Sequence, residues 1–134
     1  MVGAPLRRVR RAADALVGAG ATLIAGHSAH VFDAVADRVL VDLGDFLDDY
    51  AVDRELRNDM GLLCVVELAA DGPRRIRALP LPRDCFTRRG TAAESGWIER
   101  RLVHLCARFG THVERAGEFI ELRPGPQPKR GAWR

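Results

Sequence analysis

Gly26-His27-Ser28-Ala29-His30 follows directly on the short apolar run Thr22-Leu23-Ile24-Ala25. Histidine offers a neutral nitrogen lone pair near neutral pH and is the commonest protein ligand for transition metals. Two histidines three positions apart, introduced by a glycine at the end of an apolar strand, make His27 and His30 candidate metal ligands. In open α/β sheets, ligands sit beyond the carboxyl ends of the strands, which is where this loop falls. The segment that follows is acidic. Val31 to Met60 holds Asp33, Asp37, Asp42, Asp45, Asp48, Asp49, Asp53, Glu55 and Asp59 against Arg38, Arg54 and Arg57. Its charge is about −6 in a chain whose formal net charge is +3, so the remainder carries about +9. Negative potential beside two imidazoles, with arginine around it, suits a cationic metal that receives an anionic substrate. A solvated acidic loop is the simpler account of the same charge run. Asp42 and Asp45 either face the histidines or shape the turn at Gly44. Asp48, Asp49, Tyr50 and Arg57 are candidates for the wall of a substrate cleft. His104 falls on a helix and His112 at a strand start, positions that suit structural or exposed histidines.

At 134 residues, 47% of them hydrophobic, the chain is one domain or part of one, with enough apolar surface for a core. Lys129 is the only lysine among 21 basic residues, and the arginines are dispersed. With aromatics at 6% there is neither a stacking platform nor a basic stripe, which argues against nucleic-acid binding. Cys64, Cys85 and Cys106 are an odd number without C-x-x-C spacing, so neither a disulfide framework nor a zinc ribbon is indicated. A reducing compartment follows as the simplest expectation. No apolar stretch reaches membrane-spanning length, and Met1 to Ala21 lacks the hydrophobic centre of a signal peptide. The chain as written is expected to be cytoplasmic and to have no membrane segment.

The elements that must position these residues follow from periodicity and turn chemistry. Pro5 to Ala19 reads as a helix with Leu6, Val9, Ala13, Leu16 and Val17 on one face, ended by Gly18 and Gly20. Thr22–Ala25 is a short buried strand. Val31–Val35 and Val39–Leu43 read as two strands joined by Ala36-Asp37-Arg38, and Gly44 opens the acidic loop Asp45 to Asp59. Gly61–Ala69 and Arg74–Leu81 form a hairpin across Asp71-Gly72, with Pro73, Pro80 and Pro82 marking the second arm as a sheet edge. Thr91-Ala92-Ala93-Glu94 is a capping box. It starts a helix whose apolar stripe is Ile98, Leu102, Leu105, Cys106 and Phe109, stopped by Gly110. His112–Arg115 and Glu118–Leu122 make a small hairpin around Ala116-Gly117. Arg123 to Arg134, rich in proline and glycine, reads as a disordered tail. The ordered domain therefore spans residues 5–122 and the tail 123–134.

A helix feeding a short apolar strand is the second half of a β-α-β unit, and such a strand needs parallel neighbours. Nothing before Pro5 supplies one. The expectation is the carboxyl-terminal part of a larger α/β fold, truncated or split.

Ala19-Gly20-Ala21-Thr22-Leu23-Ile24-Ala25-Gly26-His27-Ser28-Ala29-His30-Val31-Phe32 resembles the last metal-binding motif of the CapA family, the capsule and poly-gamma-glutamate synthesis proteins of the calcineurin-like metallophosphoesterases. Val39-Leu40-Val41-Asp42-Leu43-Gly44-Asp45-Phe46 is similar to the strand and turn that follow it in the family. Arg57-Asn58-Asp59, the Gly61–Glu67 strand and Leu79-Pro80-Leu81 fit in the same order, so the likeness runs from about Pro5 to about Leu122. It implies a mixed α/β fold, the carboxyl-terminal portion of a calcineurin-like β-sandwich flanked by helices. It also implies a dinuclear centre of Mn, Fe or Zn, with His27 and His30 at the final histidine positions. The family's amino-terminal aspartate and histidine ligands, its bridging aspartate and its Gly-Asn-His segment have no counterpart here. Serine stands at position 28 where many members have histidine, and aspartate at 45 where many have asparagine. The expected role is bacterial capsule or poly-gamma-glutamate biosynthesis, with hydrolase chemistry absent from the chain alone. The expected partner is a missing amino-terminal half or a second copy. Family members are often membrane-associated. The alternative is a non-catalytic remnant or interaction module whose exposed sheet edge docks onto a partner chain.

Overall fold

A computed structural model describes residues 7–27, 29–46, 51–83 and 87–125. Within them are two helices and two sheets, a mixed α+β architecture. The helices are α1 (Arg7–Gly18) and α2 (Ala92–Ala107). The first sheet joins β1 (Ile24–Ala25), β2 (Val35–Ala36) and β3 (Val39–Leu40) in the order β1-β3-β2. The second joins β4 (Leu62–Ala69), β5 (Gly72–Pro80), β6 (His112–Ala116) and β7 (Phe119–Arg123) in the order β4-β5-β7-β6, antiparallel throughout.

The parallel neighbour that β1 requires comes from downstream. Ile24 lies opposite Val39 and Ala25 opposite Leu40 in a parallel pair, while β2 and β3 form an antiparallel hairpin across Asp37-Arg38. That hairpin is shorter than its apolar pattern implies. Its regular ladder covers Val35–Ala36 and Val39–Leu40, and beyond it only an isolated Phe32–Leu43 bridge and single backbone bonds continue. Among the described residues β1 has β3 as its one strand neighbour, and its other edge is unpaired.

The second sheet corrects one expectation. β5 is an interior strand, flanked by β4 and β7, and Pro73 and Pro80 lie within it. The prolines are tolerated because β7 pairs only with Ile76, Arg77 and Ala78. At both ends of β5 the missing N–H therefore removes no ladder bond.

The sheet's inner face carries Leu62, Ile76, Ala78, Ile120 and Leu122, all buried. Against it lies the stripe of α2: Ile98, Leu102, Leu105 and Cys106, each at most 2% exposed. Val35, Val39 and Leu40 of the first sheet, with Phe32 and Ala34 just before β2, belong to the same cluster, so one core serves both sheets. Phe32 meets Trp97 of α2 edge to face at 6.3 Å, and the Thr111 hydroxyl donates to the Val35 carbonyl at 2.7 Å. Burial pushes the Cys64 and Cys106 thiols up to about 12 and about 11, the behaviour of small core hydrophobes. Cys85 lies outside the described residues.

α1 is less fully used. Of its apolar face only Ala13 is buried and Val17 half-buried, while Val9 and Leu16 are 41% and 51% exposed. The predicted start of this helix at Pro5, like Leu6, lies outside the described residues. So does the proposed tail beyond Gly125, whereas Arg123 ends β7. α2 starts as its sequence specifies: the Thr91 N–H donates to Glu94 Oε2 at 2.8 Å and the Glu94 N–H to Thr91 Oγ1 at 3.3 Å. The Arg88 guanidinium adds two bonds to the same carboxylate, at 2.9 and 2.7 Å.

Two outcomes test this packing. Leu102→Ala removes a side chain shared by the whole core and should cost about 2–5 kcal/mol of unfolding free energy in urea titrations. Arg88, followed by the Thr91 N–H, holds the Glu94 carboxyl at about 2, below its usual 4.5. A depressed carboxylate stabilises the fold fully above its unfolded value and loses that contribution as pH falls towards the folded one. Glu94→Gln should therefore flatten the fall of melting temperature between pH 4.5 and 2; an unchanged acid slope would contradict the pairing.

Candidate functional site

The histidine loop leaves β1 at Gly26, and that glycine is required by the backbone around it. A Cβ at position 26 would stand 2.2 Å from the Val41 carbonyl oxygen. The close approach lets the Gly26 N–H donate to the Leu40 carbonyl at 2.8 Å and the Gly26 carbonyl accept from Leu43 at 3.0 Å. The parallel register thus continues past the strand proper, and His27 emerges at the carboxyl end of β1, on an exposed loop. Ser28 lies outside the described residues.

Asp42 ties this loop to the next one. Its Oδ2 accepts from the Ala29 N–H at 3.1 Å and its Oδ1 from the Gly44 N–H at 2.8 Å. One carboxylate, 9% exposed, therefore shapes the turn at Gly44 and also clamps the histidine loop against it. Gly44 takes φ +68°, and a Cβ there would meet the Phe32 nitrogen at 2.9 Å. Of the two expected roles for Asp42, shaping the turn is the one these bonds show; its second bond reaches the backbone of the histidine loop.

Asp45 follows the turn and faces His30. The His30 Nδ1 lies 3.0 Å from Asp45 Oδ2 and 3.2 Å from Oδ1. An ionised carboxylate only accepts, so Nδ1 carries the proton in this pair and the lone pair of the neutral ring sits on Nε2. His30 holds this position with a left-handed backbone, φ +59°. For a residue other than glycine that conformation is uncommon and costs of order 1 kcal/mol, so the surrounding contacts must fix it.

Behind Asp45 stands Arg83, whose side chain is 4% exposed and whose NH2 group lies 3.9 Å from Asp45 Oδ2. It also donates to the Asn58 carbonyl at 3.2 Å, and the Arg83 N–H donates to the Asp59 carbonyl at 2.7 Å. A buried guanidinium thus joins the turn after β3 to the 57–59 segment. Sequence reasoning did not single out Arg83. In a chain so rich in arginine, nothing local distinguishes Arg83, the one arginine buried among the described residues.

Arg57, a candidate for the cleft wall, is committed to other partners. It makes a two-pronged bond to Asp59, 2.8 Å on each arm, and stacks over Trp97 at 5.4 Å from the ring centre, again at positive φ, +54°. Asp48, Asp49 and Tyr50 lie outside the described residues. His104 and His112 are both exposed, on α2 and at the start of β6.

The donor set suits a metal in part. A ligating imidazole characteristically gives its second nitrogen's proton to a carboxylate, which fixes the ring and raises its basicity, and His30 with Asp45 has that form. Among the described residues, however, no three His, Cys, Asp or Glu side chains converge on a point that could hold a metal ion.

The pairing gives a spectroscopic expectation. In long-range proton–nitrogen spectra above the titration range of histidine, His30 should show its proton on Nδ1, and Asp45→Asn should shift it towards the Nε2-protonated form that free imidazoles prefer. An unchanged tautomer in that variant would dissolve the pair. Asp42→Ala strands the Ala29 and Gly44 donors and should cost about 1–3 kcal/mol in urea unfolding.

No protein-family model matches this sequence and no curated protein matches it, so its own residues carry the functional reading.

Proposed function

We propose that this chain is the carboxyl-terminal portion of a CapA-like protein of bacterial capsule or poly-gamma-glutamate biosynthesis, with a calcineurin-type metallophosphoesterase fold. In this reading it is catalytically silent by itself. The observation that carries it is the oriented imidazole at a strand's carboxyl end: His30 fixed by Asp45, on a loop clamped by Asp42, with His27 three residues before it. Two further features support the proposal. β1 has β3 as its single named neighbour, and Val9 and Leu16 on α1 leave apolar surface uncovered, as a domain awaiting more sheet would. No helix among the described residues is long and apolar enough to cross a membrane. A reducing, cytoplasmic setting belongs to the proposal through the cysteine pattern.

His27 and His30 would hold Mn, Fe or Zn, and the metal when bound would supply Lewis-acid and hydroxide chemistry to a phosphoryl substrate. The work of this chain's residues is to position donors: Asp45 sets the His30 tautomer, Arg83 braces Asp45, and Asp42 keeps the loop in register. A metal that activates water needs about three protein ligands, and two histidines fall short of that. Calorimetric titration with manganese or zinc should give weak binding that Ala substitutions of His27 and His30 abolish, and phosphodiester and phosphomonoester substrates should not turn over. Turnover that survives purification and is lost in His27→Ala or His30→Ala would overturn the silent reading. Undiminished metal binding in both variants would remove the histidines from the site.

A second reading, an interaction module without catalysis, is favoured by the same shortage of donors and by the unpaired strand edges of both sheets, each among the described residues. It requires no metal, so the same titration separates the two.

A further inference from the structure

Among the described residues β4 pairs with β5 alone, so one long side of an eight-residue strand is unpaired. The polar groups on that side can be assigned. The Leu81 N–H donates to the Gly61 carbonyl at 2.9 Å, which makes Gly61 and the odd-numbered residues after it the ones that bond to β5. Backbone groups alternate along an antiparallel strand, so the N–H and C=O of Leu62, Cys64 and Val66 point to the open edge. An unpaired row of this kind is a template for another strand, and folded proteins blunt it with charge, proline or extreme shortness.

β4 has little of this protection: it holds no proline, and its ladder is irregular only at Glu67/Leu68, beyond the 62–66 stretch. It is Leu-Leu-Cys-Val-Val-Glu-Leu-Ala, and its single charge, Glu67, lies 3.9 Å from Arg75 and 3.7 Å from Arg77 of its own chain. The remaining strand edges differ. β6 carries His112, Glu114 and Arg115, and β1 and β2 are each only two residues long.

We propose that the open edge of β4 is the interface for a second copy of this chain, paired antiparallel about Cys64, so that two four-stranded sheets become one of eight. The strand is complementary to itself in that register. Leu62 falls opposite Val66 of the second copy, Leu63 opposite its Val65, and Cys64 opposite Cys64, so every pair within 62–66 is apolar on apolar. Glu67 falls opposite Gly61, and since Arg75 and Arg77 already answer its charge, no like charges meet. The pairing gives an isologous twofold contact with about six interchain N–H···O bonds. It also covers Leu63, which is 40% exposed. The inference does not depend on the metal reading, because it is argued from the backbone and sequence of β4 alone.

Sedimentation of the full chain across its soluble concentration range should show a mass rising to twice 14.8 kDa. Leu63→Lys and Val65→Lys, both on the solvent face of β4, should shift the chain to monomer while its circular dichroism stays unchanged. Leu16→Lys on α1 should leave the dimer intact. Hydrogen exchange on the wild-type chain reads the same edge without a variant. In the dimer the amides of Leu62, Cys64 and Val66 are as protected as those of Leu63 and Val65, whereas in a monomer protection alternates along the strand. A wild-type chain that stays monomeric at every concentration overturns the proposal. So does a dimer that survives Val65→Lys, breaks with Leu16→Lys, or leaves the even-numbered amides open.

Discussion

Both sheets close on one stripe of a single helix, and the rest of the molecule follows from that. Ile98, Leu102, Leu105 and Cys106 of α2 meet the inner face of the four-stranded sheet and the β2–β3 hairpin in a single apolar cluster. The short first sheet could not hold itself together, since two-residue strands form too few bonds and bury too little surface. It persists because Phe32, Ala34 and Val35 are anchored on the helix, and because Thr111 and Cys106 each engage the Val35 backbone, the hydroxyl at its carbonyl and the sulfur at its N–H.

The histidine loop inherits its placement from this arrangement. Anchoring the hairpin fixes β3; β3 fixes β1 through the parallel register; and the close passage of Gly26 beside Val41 leads the chain into the loop at a set angle. From there polar contacts take over. Asp42 holds the loop to the turn, Asp45 holds the ring of His30, and Arg83 stands behind Asp45. Three of the carboxylates in the acidic run, Asp42, Asp45 and Asp59, are therefore structural partners with named donors. Asp53 similarly accepts from the Glu55 and Leu56 N–H groups, and these bonds hold its carboxyl below the usual carboxylate range. The charge run is in good part a set of loop braces.

What was legible in the sequence was what local chemistry decides. The capping box of α2, its buried stripe, and the two hairpins of the second sheet each depend on residues close in the chain, and each was readable from spacing. The order of strands was not. Three prolines pointed to an edge at β5, but strand length outside the paired segment, which no local pattern reports, made Pro73 and Pro80 harmless in an interior strand, and Pro82 lies beyond it. Similarly, the parallel neighbour of β1 comes from the downstream β3, a pairing that apolar composition alone could not assign. At the site, the sequence offered the Gly-His-x-x-His spacing and two alternatives for Asp42 and Asp45, the site or the turn at Gly44. The division of labour between the two aspartates, the burial of Arg83 and the left-handed backbone of His30 arise only where distant loops meet.

The functional account rests on the idea that the histidine loop is a metal-ligand loop, kept in shape by Asp42 and Asp45 but short of a full donor set. Pulsed electron paramagnetic resonance of the chain titrated with Mn(II) examines this most directly, because it sees ligand nitrogen and coordinated water together. The account predicts imidazole nitrogen couplings that disappear in His30→Ala, alongside strong signals from several retained waters. A spectrum with water alone, unchanged in that variant, would contradict it.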